Sequence, residues 1–150
     1  MRIPTVLVDT REQDPWTFKG RRVRLKPVAL RQGDYSVQGC SGEGGILIER
    51  KSVEDLFGTM TKGGARFDRE LERIRGVGYA FSAVLVEGDL ERVSLGSRWS
   101  QADPARILDL FYTKCIFKGV APYLAGGRSE AEGLAWRLLY GFWSKGGLPG

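Results

Sequence analysis

The stretch that decides the fold is "GGILIERKSV", residues 44–53, in which an apolar run ends in three consecutive charges. A short run rich in Ile and Leu that is bounded by glycines predicts a buried strand. Because side chains alternate along a strand, Glu49 and Lys51 share one face. Arg50 points to the other face, with the two isoleucines that precede it. A carboxylate and an ammonium group therefore project together from a strand that enters the core.

Periodicity along the rest of the chain predicts alternating strands and helices. Strands are predicted at residues 5–10, 21–30, 34–39, 45–51, 81–89 and 120–126, with the glycine-rich loop 39–45 as a hairpin connection. Helices are predicted at residues 53–60, 66–74, 104–119 and 129–146. Asp103 and Ser129 are the expected N-caps of the last two helices, and Glu132 is the expected capping-box partner of Ser129. The order predicts an α/β fold, with a mixed sheet between helices.

The composition limits the chemistry that is possible. A chain of 150 residues fits one domain with a substantial core. It contains no histidine, which excludes Ser-His-Asp and Cys-His nucleophiles and histidine-based zinc sites. Its 23 basic and 18 acidic residues leave a net charge of +5, which favours anionic partners such as nucleic acid. Any catalysis must therefore use carboxylates, lysine or tyrosine.

Cysteine usage and hydropathy predict the compartment. Cys40 and Cys115 form no C-x-x-C pair, so neither a zinc site nor a disulfide framework is expected. No apolar run reaches the length of about 18 residues that a membrane span requires. Asp9 interrupts the short apolar run at the N-terminus, which is not typical of a signal peptide. We therefore expect no membrane partner and an intracellular protein of the cytoplasm or nucleoid, or of the nucleus in a eukaryote.

Acidic residues are concentrated at predicted strand ends and turns of the first third of the chain: Asp9, Glu12, Asp34, Glu49 and Asp55. We expect Asp34, on a neighbouring strand, to converge with Glu49. Two carboxylates about 4 Å apart repel by roughly 4 kcal/mol at an effective dielectric of about 20, so such a pair needs a cation. Mg²⁺ takes oxygen ligands and keeps bound water. With Lys51 nearby, these are the parts needed to hydrolyse a phosphodiester.

Three motifs occur in a fixed order. They are Asp-x-Arg-Glu (Asp9, Arg11, Glu12), Gly-Asp-Tyr (Gly33, Asp34, Tyr35) and Glu-Arg-Lys-x-x-x-Asp-Leu (Glu49, Arg50, Lys51, Asp55, Leu56). Together they resemble the nuclease domain of the XPF family of structure-specific endonucleases, which has a restriction-endonuclease-like fold. Arg66 matches a basic position of that family on the following helix. The motifs cover residues 6–56, and the fit continues more loosely to the strand predicted at 81–89.

The resemblance implies a metal site. Asp34 and Glu49 would ligate Mg²⁺, for which Mn²⁺ can substitute, together with the main-chain carbonyl of Arg50. Asp9 and Glu12 would complete the acidic cluster or serve a second ion. These assignments come from the family and not from spacing or periodicity.

The resemblance also implies a reaction and a substrate. Lys51 would act on the attacking water, and the family cleaves DNA near flaps, forks and bubbles. The chain lacks the tandem helix-hairpin-helix domain that usually follows this nuclease domain, so we expect a single nuclease domain over residues 1–150. Glu70 stands where the family tends to have Gln.

Several candidate site residues have a structural alternative. The sequence Ser-Val-Glu-Asp that ends at Asp55 fits an N-terminal capping box as well as a catalytic role. The side chain of Arg50 can pair with Asp55 or with Asp9. Arg11 and Glu12 fit a solvated pair on a turn as well as a site that binds DNA.

Two surface features bear on the partners. Arg22 and Arg24 belong to the basic face of a predicted strand, which is either solvated or contacts DNA phosphates. Trp136, Tyr140 and Trp143 form a second apolar stripe on the last helix, and a helix that is apolar on two sides is either deeply buried or meets a partner. Because XPF-like nuclease domains pair through this region, we expect a homodimer or heterodimer through the C-terminal helices.

The sequence thus leaves three functions to compare. The first is a metal-dependent endonuclease that acts on branched, flapped or forked DNA. The second keeps the same site in a Holliday-junction resolvase or a linear-duplex nuclease. The third is a non-catalytic DNA-binding subunit of a nuclease complex. Inactive family members generally lose the acidic and lysine positions, and this chain keeps them, which favours an enzyme.

Overall fold

The computed structural model describes residues 2–146, without the side chain of Lys62. Within this range the strands are β1 (Thr5–Asp9), β2 (Arg24–Val28), β3 (Tyr35–Val37), β4 (Ile46–Ser52), β5 (Phe81–Glu87) and β6 (Ala121–Leu124). The helices are α1 (Val53–Met60), α2 (Ala65–Val77), α3 (Leu90–Ser94), α4 (Pro104–Phe117) and α5 (Arg128–Ser144). A 3₁₀ turn, Lys62–Gly64, joins α1 to α2. The predicted α/β fold is confirmed.

The strands form one mixed sheet in the order β2-β1-β3-β4-β5-β6. The β1–β3 and β3–β4 pairs are antiparallel, whereas the β1–β2, β4–β5 and β5–β6 pairs are parallel. Only β3, among these strands, therefore runs in the opposite direction. The C-terminal ends of β1 and β4 consequently lie at the same edge of the sheet as the start of β3. This edge gathers Asp9, Asp34 and the charged end of β4.

Helices cover both faces of the sheet, and β4 contributes to both cores. Leu47 packs with α1, α2 and α4 in one apolar cluster. Ile46 and Ile48 pack in a second cluster on the α5 face, together with Trp16 and Tyr35. The alternation predicted for β4 is confirmed. None of the helices in the described part of the chain has the length and apolar content needed to span a bilayer.

Two of the helix starts follow directly from the sequence. The Ser52 hydroxyl accepts a hydrogen bond from the Asp55 N–H at 3.0 Å and caps α1. The Asp103 carboxylate accepts from the Ala105 N–H at 3.2 Å and caps α4, with Pro104 in its first turn. These side chains satisfy N–H groups that have no partner inside the helix.

The start of α5 differs from the prediction. Gly127 is the N-cap and Ser129 lies inside the first turn, so the predicted cap and its partnership with Glu132 are wrong. The Glu132 carboxylate instead accepts hydrogen bonds from the main-chain N–H groups of Thr17 and Phe18, at 3.1 and 2.8 Å. Glu132 therefore makes a long-range contact in place of the local capping contact that the sequence pattern predicts.

Two further elements also differ from the prediction. β2 covers Arg24–Val28, a shorter range than the predicted 21–30. The short helix α3 was not predicted; it begins after Asp89, whose carboxylate accepts from the Arg92 N–H at 2.8 Å.

Candidate active site

The sheet itself places Asp34 beside the charged end of β4. The Asp34 main-chain N–H donates to the Ile48 carbonyl at 3.0 Å, and its carbonyl accepts from the Asp9 N–H at 2.8 Å. Its side-chain oxygen Oδ2 accepts from the main-chain N–H of Arg50 at 2.7 Å. Asp34 is therefore fixed between β1 and β4 by its backbone and by one carboxylate oxygen.

Asp34 and Glu49 line a cavity with two lobes. The first lobe, of about 380 Å³, is also lined by Asp9, Arg11 and Glu70. The second lobe, of about 330 Å³, is lined by the same two carboxylates and by Glu70. Lining residues specific to the second lobe are Glu12, Arg50, Lys51, Glu54, Asp55, Gly58, Thr59 and Arg66. The convergence of Asp34, Glu49 and Lys51 predicted from strand alternation is thus present in the structure.

The two central carboxylates sit in an environment that disfavours their charge. Burial raises the pKa of Asp34 to about 7, with the charges of Glu12 and Asp9 adding to the shift and the hydrogen bond from Arg50 opposing it. Burial, followed by the charge of Asp34, raises the pKa of Glu49 to about 8. A bound cation would reverse both effects, because it favours the ionised form of each group.

The donor set suits an ion that keeps water in its coordination sphere. In the described residues, no group of three or more Asp, Glu, Cys or His side chains is arranged to hold a metal ion. Mg²⁺ is commonly bound through one or two carboxylates with several waters. Asp34 and Glu49 fit that requirement.

Lys51 is the cation that shares a face of β4 with Glu49. Its side chain is 5% exposed, and Nζ donates to Glu70 Oε2 at 3.4 Å. The same Nζ lies 5.7 Å from the centre of the Phe67 ring. Glu70, whose role the sequence left open, therefore faces both lobes and holds Lys51 from α2.

Both carboxylate oxygens of Asp9 accept hydrogen bonds from the protein, which its predicted role as a metal ligand did not anticipate. One oxygen accepts from Arg11 Nε at 2.7 Å and from the Arg11 main-chain N–H at 3.1 Å. The other accepts from the Leu30 N–H at 2.9 Å and from Arg11 at 3.3 Å. Burial would raise the pKa of Asp9, but the hydrogen bonds from Arg11 and Leu30 outweigh it and lower the pKa. Through these hydrogen bonds, Asp9 fixes the turn that carries Arg11.

The side chain of Arg50 lies on the opposite face of the sheet from Glu49, as alternation predicts. It donates to Glu87 at 2.6 Å and to Glu12 at 2.9 Å, and its guanidinium lies 4.6 Å from the Trp16 ring centre. The suggested pairing of Arg50 with Asp55 or Asp9 is wrong. Local sequence pattern could not predict its actual partners, because Glu87 on β5 and Glu12 on the turn after β1 are distant from Arg50 in sequence.

Glu12 and Asp55 occupy the border of the second lobe in different ways. Glu12 accepts from Arg50 and from the Tyr35 hydroxyl at 2.9 Å, with its side chain 14% exposed. It is therefore a largely buried partner of Arg50 and not half of a solvated pair with Arg11. Asp55 is exposed, and its main chain is capped by Ser52. Its carboxylate still lines the lobe, so the capping role and a role in the site are compatible.

The predicted DNA-binding arginines fall into two groups. Arg11 and Arg66, with side chains 72% and 71% exposed, border the first and second lobes respectively. Arg24 pairs with Thr5 at the start of β1, four residues before Asp9, and so about 13 Å from the site edge. Arg22 lies two residues before the start of β2. The structure therefore does not bring Arg22 and Arg24 to the cavity.

Two basic residues of the first lobe were missed: Arg31 and Arg73. Arg73 follows Glu70 by three residues and Arg66 by seven, a spacing that places all three on one face of α2. That spacing was a usable signal. Arg31 precedes the Gly-Asp-Tyr motif in an irregular loop, where no periodicity indicates its direction.

Comparison with known proteins agrees with this geometry. The ERCC4 domain profile matches residues 8–117, a range that contains the end of β1, all of β4 and every residue that lines the cavity. The chain belongs to the ERCC4 domain family. This confirms the resemblance drawn from the three motifs.

Solved structures share the fold. XPF from Aeropyrum pernix in complex with DNA superposes with a TM-score of 0.70 at 20% identity, covering 95% of this chain and 66% of that one. A second structure of XPF from Aeropyrum pernix gives a TM-score of 0.67 at 19% identity, covering 95% and 68%. This chain thus spans about two thirds of the length of those proteins. No curated protein sequence matches it significantly. The expected restriction-endonuclease-like sheet flanked by helices is confirmed.

Proposed function

We propose that this chain is a metal-dependent endodeoxyribonuclease that hydrolyses phosphodiester bonds in branched, flapped or forked DNA. The observation that carries the proposal is the placement of two half-buried carboxylates, Asp34 and Glu49, in one cavity with buried Lys51. Buried like charges destabilise a fold unless they are compensated, so such a cluster is better explained by chemistry than by stability. Membership of the ERCC4 domain family supports the same reaction.

We infer that Asp34 and Glu49 hold Mg²⁺, and that Mn²⁺ substitutes for it. One Asp34 oxygen is oriented by the Arg50 N–H, which leaves the other oxygen for a ligand. The Arg50 carbonyl completes the proposed set. When bound, such an ion offsets negative charge on the phosphate oxygens and lowers the pKa of water.

The chain's own residues would then position the reactants. Lys51 Nζ is a buried donor, so it is suited to orient the attacking water or to stabilise charge that develops on the phosphate. Glu70 limits the directions that Nζ can take, because it accepts from Lys51 at 3.4 Å. Tyr35 and Arg50 stiffen the wall of the second lobe through Glu12. Preorganisation of this kind lowers the cost of aligning groups during the reaction.

Exposed arginines at both lobes support DNA as the substrate. Arg11 borders the first lobe and Arg66 the second, and the two lobes share the central carboxylates, so a strand that crosses the cavity would meet a guanidinium in each lobe. Arginine contacts to phosphate position a nucleic acid without reading its sequence. The structural relative XPF from Aeropyrum pernix is in complex with DNA, which supports the same substrate class.

We also propose that the chain pairs through α5, as a homodimer or with a related partner. The ring of Tyr140, which is 44% exposed, stacks on Trp136 at 5.2 Å and lies 5.8 Å from Trp143. Trp136 itself is 8% exposed and packs onto the sheet. The outer edge of this aromatic row is therefore available to a second chain on the face opposite the cavity.

A cleavage assay with four labelled substrates tests the proposal: a flap, a fork, a four-way junction and a linear duplex, each with Mg²⁺ or Mn²⁺. We expect cleavage of the flap and the fork, and a loss of at least about 100-fold in Glu49→Gln and Lys51→Ala. Glu130→Gln and Lys145→Ala are matched controls, because both residues are exposed and lie on or beside α5, away from the cavity.

The outcomes separate the three functions. Equal cutting of every substrate would keep the chemistry and remove the preference for branched DNA. Preferential cutting of the four-way junction would favour a resolvase. DNA binding without cleavage under either metal would indicate a non-catalytic subunit, and would refute the proposed reaction.

A further inference from the structure

A tight turn beside the second lobe presents a tryptophan to solvent. Residues 97–100, the Trp99 turn, are closed by an antiparallel bridge between Ser97 and Ser100. Trp99 at its tip is 79% exposed. Large aromatic side chains are usually buried at least in part, so an indole displayed on a closed turn marks a contact surface.

The turn is held rigidly at both ends. The Ser97 hydroxyl accepts from the Trp99 N–H at 3.1 Å, and the Ser100 hydroxyl accepts from the Ala102 N–H at 3.2 Å. The Arg92 side chain donates to the Gly96 carbonyl at 2.9 Å, just before the turn. Trp99 is therefore presented from a fixed backbone, which reduces the entropy lost when a ligand binds.

Glu54 connects this turn to the cavity. One carboxylate oxygen of Glu54 accepts from Arg92 at 3.0 Å, and the other accepts from the Ser97 hydroxyl. Glu54 also lines the second lobe together with Glu49 and Lys51. The Trp99 turn is thus attached to the wall of the proposed active site through a single side chain.

The chemistry of the tip matches a nucleobase followed by a phosphate. Arg98 is exposed, and its guanidinium lies 5.9 Å from the Trp99 ring centre. Aromatic rings stack on unpaired bases whatever their sequence, while a neighbouring guanidinium contacts the backbone. In duplex DNA the faces of the bases are covered by their neighbours, so this arrangement favours a strand that leaves the duplex.

We propose that the Trp99 turn contacts the substrate at the branch, with the indole of Trp99 stacked on an unpaired base and Arg98 on the adjoining phosphate. This inference rests on the proposed nuclease function and deepens it. It gives one physical source for a preference for branched over linear DNA, at a position outside the cavity.

Binding by fluorescence anisotropy tests this, with the full chain in EDTA and two ligands, a flap with a single-stranded arm and a fully paired duplex. We expect Trp99→Ala to weaken flap binding by at least about fivefold and to change duplex binding by less than about twofold. Trp99→Phe should keep most of the affinity, because it keeps an aromatic face. Phe117→Ala is the matched control, since Phe117 is an aromatic residue of similar exposure, 78%, near the end of α4.

A fluorescent base analogue gives a signal that would not depend on Trp99 if the role of this residue were purely structural. With 2-aminopurine as the unpaired base next to the junction, we expect its emission to change on binding to the wild type and to Phe117→Ala, but not to Trp99→Ala. An unchanged flap affinity in Trp99→Ala, or an equal loss on flap and duplex, would overturn the inference. A lower oligomer mass in Trp99→Ala with unchanged DNA affinity would assign the turn to a protein partner instead.

The cleavage assay distinguishes failure of this inference from failure of the proposed function. If the wild type cuts flaps and Trp99→Ala cuts and binds them equally well, the turn alone has been misassigned. If the wild type neither binds nor cuts any DNA, the nuclease proposal fails, and the proposed role of the turn fails with it.

Discussion

Binding of Mg²⁺ to the proposed site should release protons at neutral pH, and the number follows from Asp34 and Glu49. With pKa values of about 7 and about 8, these groups are about half and about nine-tenths protonated at pH 7. A metal ion requires both to be ionised. Between about one and two protons should therefore leave the protein for each ion bound.

Titration calorimetry measures this number directly. Mg²⁺ is titrated into the metal-free protein at pH 7 in MOPS and in Tris, which differ in ionisation enthalpy. The slope of the observed enthalpy against the buffer's ionisation enthalpy is negative, and its magnitude equals the number of protons released. At a pH of about 9.5, both carboxylates are already ionised, so the slope should approach zero.

Two variants show which groups supply the protons. Glu49→Gln removes the carboxyl with the higher pKa, which holds most of the bound proton at pH 7, so fewer than about one proton should be released. Glu130→Gln should behave as the wild type, because Glu130 is exposed and lies outside the cavity. A slope near zero at pH 7, with measurable Mg²⁺ binding, would refute the reasoning, since the carboxylates would then be ionised before the ion arrives.

Four further outcomes follow from the same contacts. Because folding raises the pKa of both carboxyls above the unfolded values of 3.8 and 4.5, their stabilising contribution is complete at low pH and is lost as the pH rises through about 7 and 8. The metal-free melting temperature, followed by circular dichroism, should therefore fall from pH 6 to 9 by more than that of a Mg²⁺-bound sample, and parallel falls would contradict this. Arg50→Ala leaves Glu12 and Glu87 without their shared cation and should lower the free energy of unfolding by about 2–4 kcal/mol; urea denaturation measures it, and a loss below about 0.5 kcal/mol would show that the network is dispensable. Glu70→Gln removes one negative charge from the cavity while keeping an acceptor for the lysine at 3.4 Å, so cleavage should persist and DNA should bind about threefold more tightly. That expectation fails if anisotropy shows weaker binding. Tyr140→Glu places a charge on the exposed aromatic row of α5 and should convert a dimer into a monomer by light scattering, with an unchanged mass counting against pairing through α5.

Local pattern was sufficient for the parts of the site that lie on one strand. Alternation along β4 separated Glu49 and Lys51 from Arg50, and the structure keeps that separation. The start of α1 was also predicted, because the Ser52 cap is a local contact between residues three apart. Such features depend on a few neighbouring residues and on backbone geometry, both of which are visible in a sequence.

Contacts between distant segments were not predictable in the same way. Arg50 binds Glu87 on the adjacent strand, and Glu132 binds the main chain at residues 17–18 from more than a hundred residues away. The capping-box pattern at Ser129 does not form, because the Glu132 carboxylate instead accepts hydrogen bonds from two main-chain N–H groups. The choice depends on the assembled fold and not on local propensity.

The sheet that divides the two apolar clusters has a consequence for how such a chain can change over evolutionary time. Substitutions on the α5 face can remodel the proposed pairing surface while the carboxylates on the α2 face keep their positions. Arg50 is an exception, because its main-chain N–H binds Asp34 while its side chain packs against Trp16 on the opposite face of the sheet. A change of partner is therefore tolerated most easily where it leaves this residue and its aromatic neighbour untouched.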